Sequence, residues 1–176
     1  MFARFTNMFM HYYNKLKHIN FTNVDRLYDT IDKLKADINL YKYDYNTGLM
    51  TRHDLMIRLN VLFDNQCDFV LVMYDINGLH TINRLEGYRA GDALIVKTAR
   101  NIEDLSGNHE SYTTGGDEFF VIYEDHSEVP DDIEVDKTCS GAESSSKVET
   151  ISELIDIVDQ FVTDKKRHIK KRRDDI

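Results

Sequence analysis

Between Thr22 and Tyr41 the apolar positions recur with a helical period: Val24, Ile31 and Ile38 stand seven apart, and Leu27, Leu34 and Tyr41 interleave as the other half of a heptad seam. The pattern predicts an amphipathic helix, with Thr22 or Asn23 placed to accept from its first free N–H groups. Fewer than three heptads leave two readings open, a helix packed on its own domain or a short dimerising coiled coil. After the turn-like Asn46-Thr47-Gly48, the residues Leu55, Met56, Leu59, Leu62 and Phe63 return at helical spacing and predict a second helix over 51–63. The period then disappears. Phe69-Val70-Leu71-Val72-Met73-Tyr74 is a continuous apolar run of strand length, suited to burial on both faces, and it ends in Asp75. A carboxylate there serves as a cap or turn residue, or it has a function.

Gly91-Asp92-Ala93 is read as the opening of a third helix through Leu105, with Asp92 near its positive N-terminal end. Ser111 to Thr114 and Glu118 to Tyr123 flank Gly115-Gly116 and predict a hairpin whose turn uses glycine for positive φ. The acidic segment 124–147 holds the only proline and is expected to contain an edge strand from Ile133 to Cys139, ahead of a serine-rich stretch. From Val148 onward Ile151, Leu154, Ile155, Val158, Phe161 and Val162 form an apolar helical face that runs into the basic Lys165-to-Arg173 tail.

A chain of 176 residues, 41% hydrophobic and 30% charged, has the size and composition of an ordinary globular protein with a core that needs no disulfide or structural metal. The net charge of −9 argues against general binding to DNA or RNA, which requires a basic field. The basic tail is the local exception, either a solvated helix end or a patch for a polyanion. Cys67 and Cys139 stand outside any CxxC or Cys/His cluster and are read as reduced thiols. Met1 to Tyr13 is apolar in places, but Arg4, Asn7 and His11 interrupt it before the length of a signal or membrane segment. A cytoplasmic protein with no membrane partner is expected.

Asp75 at a strand end and Asp117-Glu118 at a glycine turn are distant in sequence, yet a sheet that pairs their strands would bring the carboxylates together. Hard oxygen ligands of this kind suit Mg²⁺ (or Mn²⁺), and Mg²⁺ favours one or two carboxylates plus substrate phosphates over an all-protein cage. Such a site can activate a ribose hydroxyl and steady the charge on a phosphate under attack.

Four elements in register resemble the GGDEF diguanylate cyclases. Gly115-Gly116-Asp117-Glu118-Phe119 spells the signature. Asp44-Tyr45-Asn46-Thr47-Gly48-Leu49 is similar to the DxLTGL segment that opens such domains, and Tyr74 to Asn83, with Gly87 and then Gly91-Asp92, is similar to the family's DIDxxKxIND…GH…GD stretch. The resemblance covers about residues 41–176 and leaves 1–40 as an N-terminal helical segment that would serve dimerisation. It implies an α+β fold, a central antiparallel sheet flanked by helices like that of adenylate cyclases and polymerase palms. It also implies one GTP per domain and a homodimer in which two GTP are joined into cyclic di-GMP with release of two pyrophosphates. Carried over by position, Asp75, Asp117 and the carbonyl of Ile76 would bind metal, and Glu118 would support metal binding or hydroxyl activation. Asn83 and Asp92 would hold the guanine edge, and the N–H groups at Gly78 and Leu79 would cradle phosphates beside Gly115 and Gly116. Lys166 and Lys170 would grip the terminal phosphates.

The chain departs from the pattern in places. His80 stands where the family has a catalytic lysine, and histidine side chains are only partly protonated at neutral pH. Asn77 replaces an aspartate, Arg84 and Tyr88 replace the usual Asp and His, and Ser106 and His109 occupy the positions of the family's inhibitory product site, which is therefore absent. The segment between Tyr123 and Ile151 is too short for the helix and strand expected there. Besides an active cyclase, these departures leave open a catalytically weak domain kept for nucleotide or protein binding, and a cyclase of altered base choice.

Overall fold

A computed structural model of the chain describes residues 21–174, with the side chains of 21–23, 34–41, 170 and 172–174 outside the description. Two compact units are distinguished, Met1–Leu40 and Tyr41–Ile176. The apolar stretch read at the extreme N-terminus lies outside the described residues. The heptad pattern forms helix α1, Phe21–Lys42. Thr22 and Asn23 therefore sit inside this helix and not at its cap. Along it Val24 and Ile31 are half-buried, whereas Leu27 and Tyr28 are 59% and 64% exposed. Leu34, Ile38 and Tyr41, the rest of the seam, lie among the side chains outside the description.

The larger unit opens on a loop that bonds to itself. Asp44 Oδ1 accepts from the Asn46 N–H, the Thr47 N–H and the Thr47 hydroxyl, while Gly48 takes φ +76° to close the turn. Strand β1, Met50–Thr51, leads directly into α2, Arg52–Asp64. Then come β2 (Val70–Ile76), α3 (Leu79–Glu86), α4 (Tyr88–Ser106), β3 (Glu110–Gly115), β4 (Glu118–Tyr123), β5 (Thr138–Ser144) and α5 (Ile151–Asp174). The sheet has five strands in the order β1-β3-β4-β2-β5. All pairings are antiparallel except that of the two-residue β1 with β3.

The strand period divides the core. Val72, Tyr74 and Ile76 of β2 pack with Phe119, Val121 and Tyr123 of β4 under α4, which contributes Ala99 and Ile102. Leu71 and Met73 point the other way, with Phe120 and Ile122, against Leu55, Leu59 and Leu62 of α2 and Leu154, Val158 and Val162 of α5. Asp75 continues this second face. The result is an α+β domain with helices on both faces of a mainly antiparallel sheet, as expected.

Two boundaries differ from the sequence reading. Helix α4 begins at Tyr88, after Gly87 at φ +88°, and Gly91 lies within it. The edge strand runs over Thr138–Ser144, later than the expected Ile133 to Cys139. Ile133 and Val135 are apolar because they pack a loop onto the core, not because they pair. Helix α5 crosses close above strand β5, where a Cβ at Gly141 would fall 2.6 Å from the Val158 carbonyl oxygen. The segment from 124 to 150 thus keeps a strand, and its helical content among the described residues is two short 3₁₀ turns, His126–Glu128 and Ser145–Lys147. The serines pin β2 in place, with Phe69 N–H donating to Ser145 Oγ at 3.0 Å and Ser145 N–H to Phe69 O at 2.8 Å.

Candidate active site

Antiparallel register sets Asp75 of β2 directly opposite Glu118 of β4. The turn between β3 and β4 is built on Gly115 (φ +110°) and Gly116 (φ +64°), a backbone that a side chain would strain. Asp117 follows, and its carbonyl accepts from the Ile76 N–H at 3.0 Å, which ties the turn to the end of β2. Glu118 is steadied by Thr114, whose hydroxyl donates to Oε2 at 2.8 Å. The sheet therefore brings together the three carboxylates the sequence had separated.

Asp75 is 8% exposed. Burial pushes its carboxyl above the usual carboxylate range; Lys166 pulls it back, and the charges of Asp117 and Glu118 push it further up. Lys166 reaches from α5 to form an ion pair with Asp75 Oδ1. Its ammonium acts on the carboxyl both as a hydrogen-bond donor and as a charge. Three carboxylates against one ammonium leave an excess of negative charge that a divalent cation fits. Among the described residues no three His, Cys, Asp or Glu side chains converge closely enough to hold an ion unaided. A cation here would complete its shell with oxygens from a substrate, in keeping with the preference of Mg²⁺.

Beyond β2 the chain turns through Gly78 (φ +77°), whose carbonyl accepts from Thr81 and Ile82 at the start of α3. The first N–H groups of a helix have no internal partner and face outward for an anion. Leu79 anchors this turn in the core, and His80 beside it is exposed. Asn77 turns toward β5, its amide against Cys139 (Nδ2 to Sγ 3.1 Å). Helices α3 and α4 then meet at a close corner. Asn83 lies against the bare Cα of Gly91, so that a Cβ there would be 1.8 Å from Asn83 Oδ1, and this oxygen is buried without a hydrogen bond. Asp92, the next residue, is exposed. Since α4 starts at Tyr88, its first turn carries no acidic residue, and Asp92 is not the helix-start carboxylate expected from sequence.

Residues 41–157 match the family model described as diguanylate cyclase, GGDEF domain. The chain belongs to the GGDEF family. An uncharacterized signaling protein of Caulobacter vibrioides is 32% identical over 88 residues, covering 47% of this chain and 11% of that protein. Diguanylate cyclase DgcN of Escherichia coli is 29% identical over 102 residues, covering 56% of this chain and 24% of the relative. The chain thus spans a quarter or less of the length of the curated relatives it matches. Among solved structures, the coiled coil and GGDEF domain of DgcB from Caulobacter crescentus, in complex with c-di-GMP, superposes with a TM-score of 0.67 at 19% identity, over 84% of this chain and 90% of that one. Diguanylate cyclase SiaD from Pseudomonas aeruginosa, in complex with its activator SiaC, gives 0.61 at 23%, over 95% and 76%. At these identities the structural likeness speaks for the fold.

In this GGDEF domain the sequence-predicted residues fall into three places. Asp75, Ile76, Asp117, Glu118, Gly115, Gly116 and Lys166 gather at the ends of β2 and β4. Asn83 lies against Gly91 at the α3–α4 corner, with Asp92 the next residue of α4, and Gly78, Leu79 and His80 occupy the turn where α3 begins. The Lys170 side chain lies outside the described residues. Ser106 is buried against Ser111 (Oγ to Oγ 2.9 Å), and His109 packs on Tyr123 and pairs with Glu128 at 3.4 Å. Both residues at the product-site positions are thus engaged within the domain. Sequence reasoning missed the pairing of Lys166 with Asp75, which has no local signal, and the role of Thr114, whose place one residue before the glycines was the available hint. It also missed the contact of Gly91 with Asn83. Among the described residues no helix is long and apolar enough to cross a membrane.

Proposed function

We propose that this GGDEF domain condenses two GTP into cyclic di-GMP and two pyrophosphates, with Mg²⁺ (or Mn²⁺), as a cytoplasmic homodimer. The observation that carries the reading is the register of Asp75 opposite Glu118, with Asp117 tied to the same strand end. Asp75, Asp117 and the Ile76 carbonyl would hold the ion, which when bound lowers the barrier to deprotonating a 3′-hydroxyl and neutralises charge on the α-phosphate. Glu118, braced by Thr114, would accept the proton or complete the ion's surroundings. The Asn83 amide, whose Oδ1 is enclosed against Gly91, would present its NH₂ to an acceptor on the guanine edge, and the Asp92 carboxylate would accept from the N1–H and amine pair. The N–H groups at Gly78 and Leu79, with Lys166, Lys170 and His80, would receive the phosphates, and the bare Gly115-Gly116 turn would let substrate lie close.

Each 3′-oxygen attacks the α-phosphorus of the other GTP; two P–O bonds form as two pyrophosphates leave. One domain holds one GTP, so a second copy must supply the other. The exposed Leu27 and Tyr28 of α1 support pairing through the N-terminal segment, as does the coiled coil that accompanies the GGDEF domain of DgcB. Incubation with GTP, ATP or both and Mg²⁺ or Mn²⁺, with products identified by liquid chromatography and mass spectrometry, tests the proposal. Cyclic di-GMP from GTP alone is expected. A second reading, nucleotide binding without turnover, is favoured by Lys166 on Asp75 and by Asn77 held at Cys139. Folded, dimeric protein that binds GTP and yields no cyclic product would decide for it.

A further inference from the structure

We infer that Gly91 is a positioning residue of the base site: its missing side chain fixes where the Asn83 amide sits. This inference rests on the guanine role proposed for Asn83. Gly91 is buried inside α4 and outside the positive-φ region, so its backbone makes no demand for glycine. A glycine in a helix interior is disfavoured relative to alanine, and its presence calls for another reason. The surroundings supply one. The nearest atoms to a Cβ at 91 are Asn83 Oδ1 at 1.8 Å, Cγ at 2.8 Å and Nδ2 at 3.3 Å, all from one side chain. Gly141 is the contrasting case, where the nearest atom is the Val158 carbonyl oxygen, part of a backbone that cannot move aside.

The Asn83 amide has no hydrogen bond through Oδ1 to hold it. Its place is set by contact with the bare Cα of Gly91, which seats the oxygen against α4 and leaves the NH₂ as the open end of the amide. A methyl at 91 evicts the amide into another rotamer while the backbone around it stays as it is. Guanine then loses an aligned donor, and the helix gains a better helix former.

The test is isothermal titration of GTP, with Ca²⁺ replacing Mg²⁺ to suppress turnover, into the wild type, Gly91→Ala, Asn83→Ala and the double variant, alongside thermal melts. Gly91→Ala is expected to melt no lower than the wild type and to bind GTP about tenfold more weakly, or about 1.4 kcal/mol. In the Asn83→Ala background the same substitution is expected to change GTP affinity by less than about twofold, because the group it displaces is gone. A Gly91→Ala protein that binds GTP like the wild type, or loses the same affinity in both backgrounds, or melts lower, overturns the inference and leaves the base site standing. A wild type that binds no GTP, or an Asn83→Ala protein with full affinity, overturns the base-site reading itself and the inference with it.

Discussion

The carboxylate end of the sheet and the base corner are held by different means. Asp75 and Glu118 are fixed by strand register and by the Asp117-to-Ile76 hydrogen bond, in backbone buried on both faces. Asn83 is seated where two helices meet at Gly91, the residue before Asp92, with packing in place of a hydrogen bond to its Oδ1. The first region stores unfavourable charge in a rigid frame; the second is neutral at its centre and shaped by a single missing side chain. Damage to the first should remove chemistry, and damage to the second should change which base is held and how tightly.

The largest effect should come from Asp75→Ala or Glu118→Ala, each lowering cyclic di-GMP formation on the order of a thousandfold. Circular dichroism should show the fold retained, since neither side chain belongs to the apolar clusters; loss of folding would erase the distinction between the two regions. Gly141→Ala sharpens it from the structural side. Its Cβ meets backbone, so a cost of about 1–3 kcal/mol is expected in denaturant unfolding, against none for the same change at Gly91. Asp92→Ser should narrow the preference for GTP over ATP by roughly tenfold or more, through loss of the carboxylate that accepts the N1–H and amine pair. Unchanged selectivity would remove Asp92 from the base corner.

The smallest effect concerns pH. Folding raises the Asp75 carboxyl, mainly through burial and then through Asp117 and Glu118, with Lys166 opposing. A group raised in this way contributes stability that is fully present below its unfolded range and lost as pH rises through the raised folded value. Metal-free Asp75→Asn protein should therefore melt a few degrees above the wild type near pH 7, and the gain should vanish below about pH 4. Calorimetry across that range would show it; a constant gain would mean that Asp75 ionises in the fold as freely as in the unfolded chain.

The carboxylate end was legible in sequence because an apolar run ended in Asp75 and a double glycine preceded Asp117, both local signals of strand and turn. The base corner was legible only through the family resemblance, since Asn83 and Gly91 mean little alone. Helix α4 was started too late because a glycine normally marks a boundary, whereas Gly91 is interior for the sake of its neighbour. Strand β5 was misplaced for a related reason: Ser140, Gly141 and Ala142 show no apolar alternation, and at Gly141 the backbone of α5 leaves no room for a side chain. Lys166 and Asp75 meet only through the tertiary fold.

The position of β2 between β4 and β5 also bears on how the domain is made. Its register with β5 runs from Val70 opposite Ser144 to Ile76 opposite Thr138, a pairing of high contact order. While residues from 138 onward have yet to leave the ribosome, β4 can already be in place, but one whole edge of β2 has its N–H and C=O groups unpaired. That edge closes only when the small-residue strand arrives, so the nascent chain is most open to wrong partners at the strand that carries Asp75.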